Sequence, residues 1–153
     1  MKNNKGHLLK LENFLPYRLS VLSNRISRAI ADAYEKKFAF SLPEWRVMSV
    51  LGEEEGLSAA KIAERTAMDK VAVSRAIKKL LKDDRLIRAF SPKDKRRSIN
   101  SLSQKGLTIY EQVVPLAKKY ETIILNKLSD KESDQLDQLI EKLNEIQIHL
   151  HDH

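Results

Sequence analysis

The chain of 153 residues contains no cysteine, only four glycines and four prolines, and no long apolar run. The absence of cysteine excludes thiol catalysis, disulfide scaffolding and cysteine-ligated zinc. Because glycine and proline interrupt regular structure most strongly, their scarcity favours long helices joined by short connections. The apolar runs fall far short of the roughly 18 residues of a membrane span, and the first residues do not resemble a signal peptide. We therefore expect a cytoplasmic protein with no membrane segment.

The basic charge is concentrated in the middle of the chain. The formal net charge is +7, but residues 61–105 carry fourteen basic and five acidic side chains, whereas residues 106–153 carry five basic and nine acidic ones. A local excess of Lys and Arg is the electrostatic footprint expected for a polyanion, because each cation beside a phosphate releases condensed counterions. A basic surface that is merely solvated is the alternative that charge alone leaves open.

Apolar residues recur at helical spacing in the first third of the chain. Their pattern predicts a helix over residues 13–38. Ser41 and Glu44 then have the spacing of a capping box, which opens a short helix that ends before Gly56.

Two further helices are predicted in the last third. Ser103 caps a long helix that contains Pro115, where we expect a local kink. Ser129 and Glu132 form a second capping box, which opens the final helix.

The centre of the chain has the pattern of a helix-turn-helix. Ser58 is a candidate N-cap for a short helix, and after a turn at residues 66–68 Asp69 caps the next helix. Apolar residues at i, i+4 and i+7 of this second helix are expected to face the core: Val73, Ile77 and Leu80.

A β-hairpin with a basic tip is predicted next. Residues 86–90 and 98–102 are the two strands, although Asn100 and Ser101 are poor strand formers and should weaken the second one. Helix, tight turn, helix and hairpin in this order define a winged helix-turn-helix. The predicted fold is therefore mainly α with a small β-hairpin wing (α+β), with the terminal helices available for dimerisation.

The second helix of this motif is expected to lie in a major groove of DNA, whose width admits one α-helix. Arg75 is the candidate for base reading, because a guanidinium can bind guanine O6 and N7 together. Val71 can contact a thymine methyl, whereas the lysines are expected to contact phosphates. The candidate DNA-binding residues are Lys70, Val71, Ser74, Arg75, Lys78, Lys79, Lys93, Lys95, Arg96 and Arg97. Asp94 is expected to orient Arg96 through a charge-assisted hydrogen bond.

These residues resemble the multiple antibiotic resistance regulators of bacteria, the MarR family, over residues 11–146. The resemblance is densest over residues 63–77. The wing pattern of the family, Asp-x-Arg followed by Leu-Thr-x-x-Gly, is similar to Asp94-Lys95-Arg96 followed by Leu102-Ser103-Gln104-Lys105-Gly106.

The resemblance implies a homodimer whose N- and C-terminal helices interlock and whose two winged lobes contact a pseudo-palindromic operator in double-stranded DNA. Arg75 matches the recognition-helix arginine of the family, and Arg96 matches its minor-groove wing arginine. Family members commonly repress nearby genes and release DNA when a small molecule binds between the lobes; no cofactor is implied. Candidate residues for such an effector pocket are Tyr17, Tyr34, Trp45 and Met48, although an aromatic side chain at helical spacing is more often part of the core.

One position departs from the family pattern. The family usually has a glycine with positive φ just after the recognition helix, and Arg85 stands at that place here. A residue with a side chain in that conformation costs about 1 kcal/mol, so we expect this helix to end differently. The first strand and turn are also about one residue shorter than usual.

Three function classes remain open at this point. The first is a sequence-specific dimeric repressor, with residues 1–38 and 103–153 as dimerisation segments and residues 39–102 as the DNA-binding lobe. The second is an architectural protein that coats DNA without sequence preference, and the third is a winged-helix module that binds an acidic protein. No catalytic constellation stands out, so we expect no enzyme. His149 and His153 would share a helical face, but terminal residues fray, and we expect no metal site there.

Overall fold

The computed structural model describes residues 8–146, and its elements follow the predicted order. The predicted mainly helical fold with one antiparallel hairpin is confirmed. A short 3-10 turn at Leu11–Asn13 precedes the first helix. The elements are α1 (Leu15–Phe38), α2 (Leu42–Glu53), α3 (Ala59–Thr66), α4 (Lys70–Lys82), β1 (Leu86–Phe90), β2 (Ser98–Leu102), α5 (Gln104–Leu125) and α6 (Asp130–Asn144).

The predicted N-caps are present at five helices. In each case a short polar side chain accepts a hydrogen bond from a backbone N–H of the first helical turn, which has no partner within its own helix. The Ser129 box is reciprocal, since the Glu132 carboxylate also accepts from the Ser129 N–H at 2.8 Å. The capping residues are Ser41, Ser58, Asp69, Ser103 and Ser129.

The chain divides into two compact units, with the boundary between Val114 and Pro115. Helix α5 runs continuously past Pro115, and whether it bends there stays a prediction. The second unit contains the end of α5 and helix α6. No helix within residues 8–146 has the length and apolar character needed to cross a membrane.

The core of the first unit lies between α2, α3, α4 and β1. The predicted inward residues of α4 are all buried there, and so are those of α3. The core residues are Val47, Met48, Leu51, Leu57, Ile62, Ala63, Val73, Ala76, Ile77, Leu80 and Leu86. This packing holds α4 against the other helices through one face only, and its other face remains exposed.

The hairpin is anchored by the two residues that we expected to weaken it. Asn100 is buried, its N–H donates to the Leu57 carbonyl at 2.8 Å, and its carbonyl accepts from the Leu57 N–H at 3.1 Å. Its side-chain amide also donates to the Leu57 carbonyl, and Ser101 Oγ accepts from the Gly56 N–H at 3.0 Å. The expectation of a weak second strand was wrong, because these polar groups bind the segment before α3 and thereby tie the wing to the helices.

The turn after α4 also differs from the expectation. Asp84, not Arg85, has the left-handed conformation, with φ at 57°. The short polar side chain of Asp tolerates this region better than most residues do. Arg85, the residue before β1, therefore has no positive φ. Its N–H donates to the Leu80 carbonyl at 2.9 Å.

Arg85 connects three segments of the first unit. Its guanidinium donates from Nη2 to the Phe38 carbonyl and lies 5.4 Å from the centre of the Phe40 ring. Its own carbonyl accepts from the Ser103 N–H at 3.0 Å. The residue is 8% exposed, so the end of α1, the turn after α4 and the start of α5 meet around one buried cation.

Candidate nucleic-acid interface

The turn between α3 and α4 is tight because a C-cap ends α3 and an N-cap begins α4 within a few residues. Helix α3 ends at Thr66, and the next residue, Ala67, caps it with φ at 53°. Two residues later Asp69 Oδ1 accepts from the N–H groups of Val71 and Ala72, each at 2.9 Å. The direction of α4 relative to α3 is therefore set by hydrogen bonds within six residues.

The exposed face of α4 carries the predicted DNA-binding residues. The core-facing positions of the helix are buried, and the positions between them are exposed. Val71 is 59% exposed, so its methyl groups are accessible from solvent. The exposed residues are Lys70, Val71, Ser74, Arg75, Lys78 and Lys79.

The cations on this face differ in their partners. Lys79 Nζ donates to both carboxylate oxygens of Asp83, at 2.8 Å and 2.6 Å. Arg75 and Lys78 have no ion-pair partner among residues 8–146. Arg75 and Lys78 can thus bind a polyanion without breaking an ion pair. Lys79 must either break its ion pair with Asp83 or bind the polyanion while still paired.

The wing tip is an ordered turn with four exposed cations. The Ser91 N–H donates to the Arg97 carbonyl at 2.8 Å, which closes the tip, and the Arg97 N–H donates to the Asp94 carbonyl at 2.9 Å. The Asp94 carboxylate accepts from the backbone N–H of Arg96 at 3.0 Å and lies 3.6 Å from Arg97 Nε. We expected a bond to the Arg96 side chain; Asp94 instead fixes the Arg96 backbone, because an acidic side chain in a turn reaches the N–H two residues ahead. The exposed cations are Lys93, Lys95, Arg96 and Arg97.

Comparisons with known proteins now identify the family. A model of the MarR family matches residues 40–97, which include α2, α3, α4 and most of the wing. A solved structure of a MarR/EmrR family transcriptional regulator from Acinetobacter sp. ADP1 is 30% identical, with a TM-score of 0.80, and the alignment covers 89% of this chain and 96% of that one. The chain belongs to the MarR family.

Two curated relatives are similar to this chain over different lengths. The HTH-type transcriptional regulator TcaR of Staphylococcus aureus is 26% identical over 147 residues, 94% of this chain and 93% of the relative. The HTH-type transcriptional regulator BilQ of Clostridium symbiosum is 31% identical over 93 residues, and the alignment spans 65% of that protein and 61% of this chain. The MarR family consists of transcriptional regulators, and the winged fold described above is the fold of its solved members.

The four residues suggested for a MarR-type effector pocket do not lie together in one chain. Tyr34 is fully buried and its ring centre lies 5.7 Å from that of Trp45, whereas Met48 belongs to the hydrophobic core. Tyr17 is 44% exposed and lies 17 residues before Tyr34 on the same helix, which is about 25 Å. Tyr17 therefore cannot join Tyr34 and Trp45 around one ligand within a single chain.

A shallow, open surface depression lies beside Phe40, between the end of α1 and the start of α2. It is lined by Glu35, Ala39, Phe40, Ser41 and Glu44. Glu44 is 9% exposed, and its Oε2 has no hydrogen-bond partner in the described part of the chain. Tyr34 Oη is likewise buried without one, and burial raises the pKa of this phenol to about 12, so it stays protonated at neutral pH.

Sequence reasoning missed Arg88 and the burial of Arg85. Arg88 lies in β1, two residues after buried Leu86 and on the same face, and its Nε donates to Asn100 Oδ1 at 3.4 Å. Its side chain is exposed although Leu86 on the same face of the strand is buried, so strand alternation gave no signal for it. Nothing in the local sequence signals the buried Arg85, because its partners are 47 residues away along the chain.

Within the described range, no three His, Asp or Glu side chains are grouped as metal ligands would be. The histidines considered for a terminal metal site, His149 and His153, lie outside the described residues.

Replacing Asp69 by alanine should lower the free energy of unfolding by about 1 kcal/mol, because two N–H groups at the start of α4 lose their acceptor. Chemical denaturation measures this change. Asp69→Ser keeps a capping oxygen and should recover most of the loss. Equal destabilisation by both substitutions would show that the cap is not the cause.

The pair at the end of α4 should appear in an acid titration. The hydrogen bond from Lys79 lowers the pKa of Asp83 below its usual 3.8, so the pair stabilises α4 above that pH, and this contribution is lost as the pH falls through the lowered pKa. Carboxyl carbon chemical shifts should report a lowered Asp83 pKa, and Lys79→Met should raise it. An unchanged titration curve in the variant would contradict the pair.

Proposed function

We propose that the chain is a sequence-specific, homodimeric DNA-binding regulator of transcription that works in the cytoplasm at the nucleoid and catalyses no reaction. The single observation that carries this proposal is the exposed face of α4, where Arg75 and Lys78 have no ion-pair partner among residues 8–146, together with a wing that ends in four exposed cations. A helix of this kind fits the major groove, and an arginine-bearing wing fits the adjacent minor groove. A related regulator of the same fold, MepR of S. aureus, has been solved bound to DNA.

Two exposed apolar faces support a homodimer. Helix α1 exposes Leu15, Leu19 and Leu22 to between 48% and 55%, beside Arg18 and Arg25. Helix α6 exposes an apolar stripe in an acidic helix, so the two faces carry charges of opposite sign. Apolar area of this extent is usually buried against a partner, and a two-fold dimer of interlocked helices covers both faces. The α6 stripe consists of Leu136, Leu139, Ile140 and Leu143.

The proposal includes a small-molecule effector that releases DNA, so that the protein acts as a repressor. The shallow depression beside Phe40, which Glu44 lines, supports a binding site at the junction of α1 and α2, and so does the buried Glu44 Oε2, which has no hydrogen-bond partner in the described part of the chain. Solved proteins of similar fold include BpsR of Bordetella bronchiseptica, whose DNA binding is regulated by 6-hydroxynicotinic acid. They also include PcaV of Streptomyces coelicolor, which was solved in complex with its natural ligand. Residues 1–38 and 103–153 are the proposed dimerisation segments, and residues 39–102 are the DNA-binding lobe.

Selection of bound sequences from a random duplex pool tests the main proposal. We expect a two-fold symmetric motif with half-sites about one helical turn apart, because a symmetric dimer presents two recognition helices. Candidate effectors added to the selected complex should then release it. Equal binding of unrelated duplexes would instead indicate an architectural protein, and no binding at low salt would favour a protein-interaction module.

A further inference from the structure

Phe90 is an exposed aromatic side chain at the base of the wing tip. It is 71% exposed, whereas Tyr34, Phe38, Phe40, Trp45 and Tyr110 pack against one another. Its neighbour across the hairpin is Ser98, which is too small to cover the ring. The ring is therefore uncovered in the single chain.

The backbone holds Phe90 firmly in this place. It is the last residue of β1, and the next residue closes the tip through the bond from the Ser91 N–H to the Arg97 carbonyl. Along the same face of the strand, Leu86 is in the core and Arg88 is bonded to the buried Asn100. The strand thus begins in the core at Leu86 and ends outside it at Phe90.

The charged residues next to Phe90 in the chain indicate which kind of partner would cover its ring. Arg88 lies two residues before it, and the four cations of the tip follow it. The single acid of the tip, Asp94, is occupied by the Arg96 N–H and by Arg97. An apolar ring in a hairpin that carries five cations suits a polyanion that also offers apolar surface, and DNA offers this in its minor groove, where deoxyribose and base edges are exposed.

We infer that Phe90 packs against the sugars and base edges of the DNA minor groove when the wing binds, and so contributes affinity and base-step preference at the flank of the operator. This inference rests on the proposed DNA-binding function. Apolar side chains beside minor-groove arginines unstack base steps that deform easily, so Phe90 favours flexible pyrimidine–purine steps at that position.

The test compares Phe90→Ala with Ile87→Ala on the selected operator. Ile87 is 57% exposed in the same strand but points to the opposite face of the hairpin, which makes it a matched control. Phe90→Ala should weaken binding roughly ten-fold, as the loss of an aromatic–base contact usually does, and Ile87→Ala should leave it unchanged. Because Phe90 is neutral, the salt dependence should keep its slope in Phe90→Ala, whereas Lys95→Ala should reduce it by about one.

A fluorescent base analogue at the flanking step gives a second readout. Its emission should rise when the wild-type protein binds and stay low with Phe90→Ala, while Phe90→Trp should restore the rise. Thermal unfolding of Phe90→Ala should match that of the wild type, since the ring is exposed.

Equal affinity of wild type and Phe90→Ala, or an equal loss in Ile87→Ala, overturns the inference and leaves the regulator function standing. A change of oligomeric state in Phe90→Ala would assign the ring to a second copy and also overturns it. Failure of the wild type to bind any duplex would instead remove the function on which the inference depends.

Discussion

Replacing Arg75 by alanine should reduce discrimination between the operator and a random duplex by about 1–3 kcal/mol, which is roughly five-fold to 150-fold in affinity ratio. Arg75 is exposed on the outer face of α4 and has no ion-pair partner among residues 8–146, so its guanidinium can approach a base edge directly. A guanine offers two acceptors to one guanidinium, and no other base pair reproduces that pattern in the major groove. Titrations with the operator and with an unrelated duplex at one salt concentration measure the ratio.

Two control variants separate base reading from simple charge. Arg75→Lys keeps the positive charge but loses the fork of donors, so it should lose most of the discrimination while retaining binding to random DNA. Lys78→Ala should weaken binding to both duplexes alike and lower the salt slope by about one, because a phosphate contact carries no sequence information. If Arg75→Ala weakens both duplexes equally, Arg75 contacts the backbone and another residue reads the bases.

Gly106→Ala should be the most destabilising small substitution in the wing-proximal part of the fold. A Cβ at Gly106 would lie 2.0 Å from the carbonyl oxygen of Arg85, and that oxygen also accepts from the Ser103 N–H. The obstacle is backbone, so the first turn of α5 or the turn after α4 must move. We expect a loss of unfolding free energy at the upper end of the roughly 1–3 kcal/mol typical of overpacking, despite the better helix propensity of alanine.

Thermal and chemical unfolding of a glycine series would measure this effect. Gly56 has φ at +74° and only Ile99 Cδ1 nearby, at 3.7 Å, so Gly56→Ala should cost about 1 kcal/mol from backbone strain alone. At Gly52 the new Cβ would meet the Tyr110 ring at 2.4 Å, a side chain that can yield in part, so Gly52→Ala should lie between the other two. If Gly106→Ala is as stable as Gly56→Ala, then the first turn of α5 and the turn after α4 are not rigidly packed against each other.

Much of the fold and of the candidate interface follows from short-range patterns. The caps at Ser41, Asp69 and Ser129 act over two or three residues, so they are readable in the sequence and they occur where expected. Helical spacing likewise separated the buried face of α4 from the face that carries Arg75, because the period of a helix does not depend on what it packs against.

Some of the outcomes that sequence reasoning missed concern residues whose environment is made by distant parts of the chain. Tyr17 and Tyr34 share an aromatic character and one helix, but only the length of α1 shows that they cannot line one pocket within a single chain. Asn100 has a poor strand propensity, yet its buried amide is bonded to the Leu57 carbonyl, 43 residues away. Strand propensity is an average over many surroundings. It is overridden when a buried polar side chain forms specific hydrogen bonds.

The sequence by itself determined the order of the elements, their capped starts, the basic wing and the side of α4 that stays exposed, because each depends on interactions among near neighbours in the chain. Only the tertiary structure decided that Asp84 takes the left-handed turn, that Arg85 is buried between the Phe38 carbonyl and the Phe40 ring, and that Phe90 is left uncovered beside the cations of the wing. These outcomes depend on how α1, the turn after α4 and the hairpin pack, and packing is a property of surfaces that the chain brings together only on folding.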